Sequence, residues 1–416
     1  MIIVYRIALA LYYLVIRLVS PFSKKANLWI SGRVNWKERL TEKMASNTRP
    51  VVWMHCSSLG EFEQGRPVIE SIREKQLDCF ILVSFFSPSG YEIRKNYTGA
   101  DYVCYLPRDS RANANAWMQI VKPSIALFVK YEFWYSFLSG LRSRNIPVLL
   151  ISANFRRDQL FFKWYGSWYR KMLEQFSILF VQHQSSAEIL AEFGIRTVQV
   201  AGDTRFDRVS AIPAQVKPIP LVTEFAGDHR VIIAGSSWEP DEQLLSQFIN
   251  KHGEDIKYIL VPHEISDSSL KQLEAKLERK NIRFSLVKPG IDLASCQVLI
   301  IDNVGMLSSL YRYAGIAYIG GGFGKGIHNT LEAATFGMPV LFGPNYANFR
   351  EAVEMVKLGC AFPVNDYESL ELILEKLIGD DERRKTAGVI AGNYVKENTG
   401  ATALIVERIL ACLNKE

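Results

Sequence analysis

Two segments of the sequence combine small residues with side chains that can carry out chemistry. In the first, the letters SSLGE at residues 57–61 follow an apolar run, VVWMHC. We predict a strand that turns at Gly60 into a helix, because glycine permits a sharp turn. Glu61 would lie at the helix start, where backbone N–H groups favour the ionised carboxylate. Such a carboxylate can act as a general base on a hydroxyl, although the same spacing is typical of a helix-capping glutamate.

The second segment is a glycine-rich loop at residues 320–329, GGGFGKGIHN, which leads into TLEAA. We predict a strand, this loop and then a helix, whose amino terminus and bare loop backbone can bind a phosphate. Glu332, one turn into the helix, could accept hydrogen bonds from sugar hydroxyls. A flexible turn is the alternative interpretation of the glycines alone. The residues that we assign to a ligand here are Gly321, Gly322, His328, Asn329 and Glu332.

Two further strand ends carry weaker signals. The letters AGSS follow the run RVII, and they predict a small turn that faces a phosphate, formed by Gly235, Ser236 and Ser237. His263 follows the run YILVP and could contact a phosphate or a base. A lone histidine is more often structural, so both interpretations stay open.

A second set of residues is expected at the edge of a cleft. Glu132 follows the run SIALFV and should face the same cleft as Glu61, unless it is a salt-bridged surface residue. Ser58 and Gly60 adjoin Glu61 in the chain. Asn348 belongs to GPNYANF, which we predict to be a loop over the ligand site.

Apolar runs of strand length alternate with polar helical stretches along the chain, which predicts an α/β fold with parallel sheets covered by helices on both faces. A stretch with Pro213, Pro218 and Pro220 separates two such alternations and predicts a linker. The predicted strands are VVWMHC, FILVSFF, SIALFVK, VLLISA and ILFVQH, then RVIIAGSS, YILVPHE, VLIID, IAYIGGGF and PVLFGP.

We therefore expect two doubly wound, Rossmann-like domains that face a central cleft, with ligands at the carboxyl ends of the strands. The predicted divisions are an amino-terminal membrane-associated segment at 1–35, a first domain at 36–210, a second domain at 211–390 and a carboxy-terminal helix at 391–416.

The amino terminus is strongly apolar but contains Arg6 and Arg17. On a helix these two residues share nearly the same face, since eleven residues is close to three turns. One basic stripe on an apolar helix indicates a segment that lies in a membrane interface. A spanning helix, which would bury both arginines, and an ordinary core helix are the alternatives. Residues 161–172 mix aromatic and basic side chains, and they are either a second membrane-facing patch or a helix packed on the first domain.

The composition excludes several classes of protein. The chain is 48% hydrophobic and 22% charged, which is typical of a globular protein rather than a disordered one. A net charge of +6 is too small to favour a nucleic-acid partner. Six cysteines without a C-x-x-C pair indicate free thiols rather than a zinc site. We expect no metal or other cofactor, because no acidic pair for a metal–diphosphate clamp stands out.

The chemical segments, taken in order, resemble the Kdo (3-deoxy-D-manno-octulosonic acid) transferase family of lipopolysaccharide biosynthesis. The resemblance covers nearly the whole chain and implies the two-domain GT-B glycosyltransferase architecture, with the segment after about residue 390 crossing back to the first domain. The segments that carry it are CSSLGE, SFFSPSG, YLPRD, KYEFW, ISANFR, GDTRFD, AGSSWEPDE, LVPHE, DNVGML, YIGGGFGKGIHNTLEAA and GPNYANF.

The resemblance implies CMP-Kdo as the donor and a tetra-acylated lipid A precursor as the acceptor, at the cytoplasmic face of the inner membrane. It implies that Glu61 is the general base and that the transition state resembles an oxocarbenium ion. The second domain would bind the donor, with the phosphate at residues 235–237 and at Asn329, and the ribose at Glu332.

Two positions depart from the family pattern and put the contacts to the donor in doubt. His263 stands where many members have an arginine, and Met306 stands where many have a glutamate. Two other functions therefore stay open: a GT-B transferase that uses a UDP-sugar on a lipid-linked acceptor, and a membrane-bound scaffolding protein without catalysis. The number of Kdo residues transferred is not encoded in any feature that we recognise.

Overall fold

A computed structural model describes residues 1–252 and 255–414. The chain forms two compact units, one made of Met1–Asp207 with Thr399–Glu416 and the other of Arg208–Asn398. Each unit contains one parallel seven-stranded sheet with helices on its faces.

The sheet of the first unit has the strand order β3-β2-β1-β4-β5-β6-β7. Its strands are β1 Val51–Cys56, β2 Phe80–Phe85, β3 Tyr102–Tyr105, β4 Ile125–Val129, β5 Val148–Ala153, β6 Ile178–Val181 and β7 Val198–Val200. Its helices are α1 Ile2–Val19, α2 Lys24–Ser31, α3 Trp36–Met44, α4 Leu59–Glu74, α5 Pro88–Arg94, α6 Arg111–Val121, α7 Tyr135–Arg142, α8 Ser167–Leu173, α9 Gln184–Glu192 and the final helix, Ala401–Leu413, with a 3-10 turn at Leu160–Phe162.

Alternate residues of β1 enter two separate cores, because successive side chains of a strand point to opposite faces of the sheet. Val51 and Trp53 pack with α3, α6 and α7 on one face. Val52 and Met54 pack on the other face with α4 and the final helix. Since both faces are covered, all six residues of β1 are buried, as the continuous apolar run predicts.

The second unit repeats this plan with the strand order β10-β11-β9-β8-β12-β13-β14. Its strands are β8 Arg230–Ser237, β9 Ile256–Pro262, β10 Asn281–Arg283, β11 Val298–Ile300, β12 Ile316–Ile319, β13 Val340–Phe342 and β14 Ala361–Pro363. Its helices are α11 Pro220–Ala226, α12 Glu239–Lys251, α13 Asp267–Lys276, α14 Leu307–Leu310, α15 Leu331–Ala334, α16 Arg350–Lys357, α17 Tyr367–Gly379 and α18 Asp381–Glu397, with 3-10 turns at Phe284–Leu286 and Tyr311–Tyr313.

The predicted proline-rich linker is mostly helical, and residues 216–219 are its non-helical part. Helix α10, Thr204–Gln215, contains the boundary between the units and includes Pro213 in its last turn, and Pro220 opens α11. A proline near a helix end disturbs few hydrogen bonds. A proline in the first turn costs none, because the backbone N–H groups there have no acceptor within the helix. The chain returns to the first unit at Thr399, and we label its final helix α19. Ile405 and Ile409 of α19 are buried in the core beside α4.

Helix α1 has an apolar side that the protein leaves exposed. Among the described residues, this is the one helix long and apolar enough to cross a membrane by length and composition. It is nevertheless attached to the first unit along its length. Tyr5 donates a hydrogen bond of 2.6 Å to Asp109, and the Tyr13 hydroxyl accepts one of 3.1 Å from the Asp109 backbone. The Tyr13 ring also stacks on Trp29.

Candidate functional site

Glu61 lies at the carboxyl edge of the first sheet, where β1 ends and α4 begins. Ser58 is the N-cap of α4, and Ser58 and Glu61 form a reciprocal capping box. The carboxylate of Glu61 accepts hydrogen bonds from the backbone N–H groups of Ser57 and Ser58. The helix-capping role and a catalytic role therefore belong to the same side chain.

The backbone N–H groups of Ser57 and Ser58 lower the pKa of Glu61, as expected from its place at the helix start, but two other effects outweigh them. Burial and the negative charge of Glu132 together raise the pKa of Glu61 to about 7, against the opposing N–H groups of Ser57 and Ser58 and the charge of Lys130. A carboxyl that titrates near neutral pH is well matched to accept a proton from a substrate hydroxyl.

Gly60 does not make the turn that the sequence suggests. It lies in the first turn of α4, outside the left-handed region of the backbone map, and an added Cβ would meet no atom within 4 Å. The chain therefore has no conformational need for glycine here. Gly60 instead leaves exposed open space beside Glu61.

Glu132 lies in the loop after β4, next to β1 in the sheet, and is held by partners that the sequence did not reveal. Its Oε2 atom lies 3.2 Å from Nε2 of His55, which is fully buried, and accepts a hydrogen bond of 2.7 Å from Trp134 Nε1. The Oγ atom of Ser84 lies 2.9 Å from Nδ1 of His55. Nδ1 of His55 also lies 3.1 Å from the carbonyl oxygen of Ser84, and Trp134 Nε1 lies 2.9 Å from Nε2, so the tautomer of His55 decides whether it donates to Glu132. The indole N–H of Trp134 donates to Glu132 with either tautomer.

A cavity of about 550 Å³ opens beside Glu132 in the first unit. Its walls are mainly aromatic and include Tyr5 of α1, Phe133, Trp134 and Phe161. Phe161 is buried in the core, whereas Trp164, two residues after the 3-10 turn, is 91% exposed. Part of the segment at residues 161–172 is thus packed on the first unit and part is exposed, so each of the two interpretations describes some of its residues.

The glycine-rich loop of the second unit is tightly packed, not flexible. Gly321 has a φ of +92°, and a Cβ added there would lie 2.6 Å from the carbonyl oxygen of Gly326. A Cβ on Gly322 would lie 2.6 Å from Gly343. Asp241 fixes the loop from beneath: it is fully buried and accepts hydrogen bonds from Gly321 N at 2.9 Å and from Tyr318 Oη at 2.8 Å.

Sequence reasoning did not assign a role to Asp241. The available signal was its position after Trp238-Glu239-Pro240, where an acidic residue at the third helical position predicts a capping box. The structure has that contact, because Asp241 also accepts a hydrogen bond from Trp238 N at 2.9 Å.

The helix predicted after the loop is a single turn, α15, so its dipole adds little to anion binding. Asn329 does act at its start, accepting a hydrogen bond from Leu331 N at 3.1 Å. The carboxylate of Glu332 receives hydrogen bonds from Asn329 Nδ2 at 3.1 Å and from Ser308 Oγ at 2.7 Å. Glu332 is thus oriented by side chains on both sides and remains half-buried.

His263 belongs to an aromatic stack. Its ring lies 4.3 Å from the Trp238 ring and 4.7 Å from the His328 ring, centroid to centroid. Trp238 Nε1 donates to His328 Nε2 at 3.1 Å. Burial and the neighbouring His263 lower the pKa of His328, which favours the neutral ring as acceptor. An aromatic stack of this kind offers a flat surface on which a base can pack.

The remaining predicted residues of the second unit are placed as follows. Gly235, Ser236 and Ser237 are the last residues of β8 rather than a turn after it. Ser237 is buried and its hydroxyl donates to Glu242, so it supports the fold at this edge. Ser236 has a φ of +54° and its carbonyl lies against Gly320, which joins this strand end to the glycine-rich loop. Asn348 is exposed in the loop after β13.

One group of possible metal ligands comes together within residues 1–252 and 255–414. Atoms of His252, Glu371 and Glu375 lie within 4.8 Å of one another. Glu371 is already paired with Lys251 at 2.7 Å, and none of the three residues is among those assigned to a ligand. The expectation of a reaction without a metal or other cofactor stays a prediction.

Comparison with known proteins shows which family the chain resembles. Residues 34–208 match the family model described as 3-deoxy-D-manno-octulosonic-acid transferase (kdotransferase). A 3-deoxy-D-manno-octulosonic acid transferase of Aquifex aeolicus is 28% identical over 82% of this chain and 90% of that protein. One of Haemophilus influenzae is 25% identical over 88% and 87%, and one of Chlamydia muridarum is 26% identical over 91% of each chain. The resemblance predicted from the motifs is confirmed.

Solved structures show the same architecture. The UDP-GlcNAc 2-epimerase of Neisseria meningitidis superposes with a TM-score of 0.63 at 18% identity, over 87% of this chain and all of that one. Acinetobacter baumannii MurG superposes with a TM-score of 0.54 at 12% identity, over 87% and 99%. At these identities the likeness concerns the fold, and the expected GT-B architecture is confirmed.

Proposed function

This chain is a relative of the Kdo transferases, and we propose that it transfers Kdo from CMP-Kdo to a tetra-acylated lipid A precursor. The reaction would take place at the cytoplasmic face of the inner membrane, with α1 as the attachment. Named relatives that act as Kdo transferases support the donor sugar. The exposed apolar side of α1 supports a lipid-linked acceptor.

In the proposed mechanism, Glu61 accepts the proton of an acceptor hydroxyl as that oxygen forms a bond to the anomeric carbon of Kdo. The bond between the anomeric carbon and the phosphate oxygen breaks, and CMP leaves with the electron pair. The observation that carries this assignment is the pKa of Glu61, raised to about 7 at an open helix start. At that pKa the carboxylate is both substantially ionised and basic near neutral pH.

The first unit would hold the acceptor. Glu132 follows β4, the strand next to β1, and the aromatic cavity opens beside it. An acceptor sugar placed over Gly60 would therefore have both carboxylates near its hydroxyl. The negative charge of Glu132, which accepts a hydrogen bond from Trp134, supports proton uptake by Glu61.

The second unit would hold the donor. The N–H groups of Gly320 and Gly321 are already bonded to Gly235 O and to Asp241, so this backbone fixes the loop, and the side-chain amide of Asn329 would contact the phosphate. Glu332 suits the ribose hydroxyls as an acceptor of hydrogen bonds, and the stack of Trp238, His263 and His328 suits the cytosine ring. His263 would thus contribute a ring surface where many family members have an arginine.

The test is transfer from CMP-Kdo, generated in situ, to the tetra-acylated precursor, with product mass read by mass spectrometry. Wild type should add the mass of one or more Kdo residues, and Glu61→Gln should be slower by about 10²–10⁴-fold while keeping its fold. Product from UDP-GlcNAc but not from CMP-Kdo would overturn the proposal in favour of a UDP-sugar transferase. Full activity of Glu61→Gln would remove the assigned base.

A further inference from the structure

A second open cavity, of about 630 Å³, lies in the first unit between α1 and the start of α6. Four arginines line it: Arg6 and Arg17 from α1, and Arg108 and Arg111 from the opposite wall. All four are exposed. This cavity is separate from the aromatic cavity beside Glu132, and the proposed transfer reaction assigns it no role.

Within the described part of the chain, the four arginines of this cavity face a single carboxylate. Other arginines of the same unit form ion pairs, such as Arg49 and Arg73 with Asp101 at 2.8 and 2.5 Å, whereas the four cavity arginines form none with the residues that the structure describes. The carboxylate in the cavity wall, Asp109, is buried and already accepts hydrogen bonds from Tyr5 Oη at 2.6 Å and Ser136 N at 3.0 Å. The guanidinium group of Arg108 lies 5.6 Å from the centre of the Tyr13 ring, a contact that leaves its charge unneutralised. A concave surface with four guanidinium groups attracts anions, and guanidinium geometry matches phosphate.

An apolar surface adjoins the cavity on the same helix. The side chains of Ile3, Ile7, Leu11 and Leu18 are each more than half exposed. Tyr5 and Tyr13, eight residues or about 12 Å apart, attach the other side of α1 to the unit. The helix therefore lies along the protein surface with its apolar side outward, which is the arrangement of an interfacial helix.

We propose that this cavity binds the phosphate of a membrane lipid headgroup while the apolar side of α1 enters the acyl layer. The charge complementarity of the four arginines and the adjoining apolar strip together select an amphiphilic, phosphate-bearing ligand. Two sources share this chemistry: a bulk anionic phospholipid and a phosphorylated glycolipid acceptor. The proposal deepens the proposed function, since the acceptor assigned there is an acylated glycolipid.

The test uses the full chain and vesicles without any donor. Three vesicles serve as probes: phosphatidylcholine alone, phosphatidylcholine with phosphatidylglycerol, and phosphatidylcholine with the phosphorylated lipid A precursor. The Arg108→Gln/Arg111→Gln pair should bind the phosphatidylglycerol or glycolipid vesicles at least about tenfold more weakly than wild type, and the neutral vesicles equally. Loss on both anionic vesicles identifies a general phosphate site, and loss on the glycolipid vesicles alone identifies the acceptor.

A matched control removes the same charge elsewhere. Arg142 and Arg144 are exposed at the far end of α7 and contact backbone carbonyls, so Arg142→Gln/Arg144→Gln should bind within about twofold of wild type. Arg108→Lys/Arg111→Lys, which keeps the charge, should recover most binding and so exclude unfolding as the cause. The proposal would be overturned if the cavity pair and the control pair lost vesicle binding equally, or if the cavity pair bound vesicles as wild type does. It would also be overturned if the cavity pair kept vesicle binding and lost only binding to a single-stranded oligonucleotide, measured as an additional probe. Since the vesicle assay contains no donor, its result does not depend on whether the chain transfers Kdo. A failure of vesicle binding would likewise leave a positive transfer assay unaffected.

Discussion

The acidic side chains at the carboxyl edges of the two sheets have opposite electrostatic environments. In the first unit, Glu61 is buried beside Glu132, and its pKa is raised to about 7. In the second unit, Asp241 and Glu332 each receive several hydrogen bonds from neighbouring groups. The first edge retains an unfavourable charge that can be relieved by taking up a proton. The second edge uses its carboxylates to hold a binding surface in place.

The glycines of the two edges differ in the same sense. Gly321 is required by its backbone conformation and by close packing, whereas Gly60 is required by neither. Rigidity is thus built into the proposed donor side, and open space is kept on the proposed acceptor side. The following predictions test this difference.

The largest expected change in stability is at Gly321. Gly321→Ala forces a side chain into the left-handed region and against the Gly326 carbonyl, so we expect a loss of about 2–4 kcal/mol in the free energy of unfolding. Gly324 in the same loop is the control, since a Cβ there would lie at an ordinary 3.5 Å from Gly321 O. Urea unfolding measures both. Similar losses for the two variants would show that the loop is not held as described.

A smaller change with a distinctive pH dependence is expected for Glu61→Gln. The folded-state pKa of Glu61 is raised from 4.5 to about 7, so its favourable contribution is present below about pH 4.5 and is lost as the pH rises through 7. Relative to wild type, Glu61→Gln should therefore gain about 1–3 kcal/mol in unfolding free energy between pH 4.5 and 8.

Asp101 provides the opposite case in the same unit. Hydrogen bonds from Ile81 N, Arg49 and Arg73 outweigh its burial and lower its pKa, so its contribution is present above its unfolded pKa and is lost in acid. Asp101→Asn should be less stable than wild type at pH 8. If Glu61→Gln and Asp101→Asn changed the unfolding free energy in the same direction at pH 8, the two carboxylates would not differ in the way described here.

The smallest expected effect on stability is at Gly60. Gly60→Ala places alanine inside a helix in open space, and it should raise the unfolding free energy by about 0.5–1 kcal/mol. The same change should raise KM for the acceptor, because the methyl group enters the space assigned to the acceptor sugar. A variant that is stabilised with an unchanged KM would place the acceptor elsewhere.

Most of the fold was predictable from the sequence, and the parts that were not share a cause. The ten predicted strands lie in the interiors of the two sheets, where burial on both faces produces continuous apolar runs. The strands without a prediction, β3, β7, β10 and β14, are the four sheet edges, and each contains residues that are partly exposed. Short strands with partly exposed residues, such as Tyr102 and Val198, lack an apolar run to detect.

The candidate site was predictable where its residues are local in sequence. The position of Glu61 could be predicted from the strand–helix junction in the sequence. Its pKa could not, because it depends on Glu132, which the pairing of β1 with β4 brings close. His55 reads as an ordinary strand residue, and its role depends on Ser84 of β2 and Glu132. Long-range pairing, rather than local pattern, sets these interactions.

The most direct test of the account is the pH dependence of kcat/KM for transfer, measured in wild type and in Glu132→Gln from about pH 5 to 9. The account predicts that wild-type activity rises with pH by one ionisation with a midpoint near 7, as Glu61 loses its proton. It predicts a lower midpoint in Glu132→Gln, because removing that negative charge makes Glu61 easier to ionise. A wild-type profile already flat from pH 5, or a midpoint that does not move in Glu132→Gln, would contradict a base at Glu61 tuned by its neighbour.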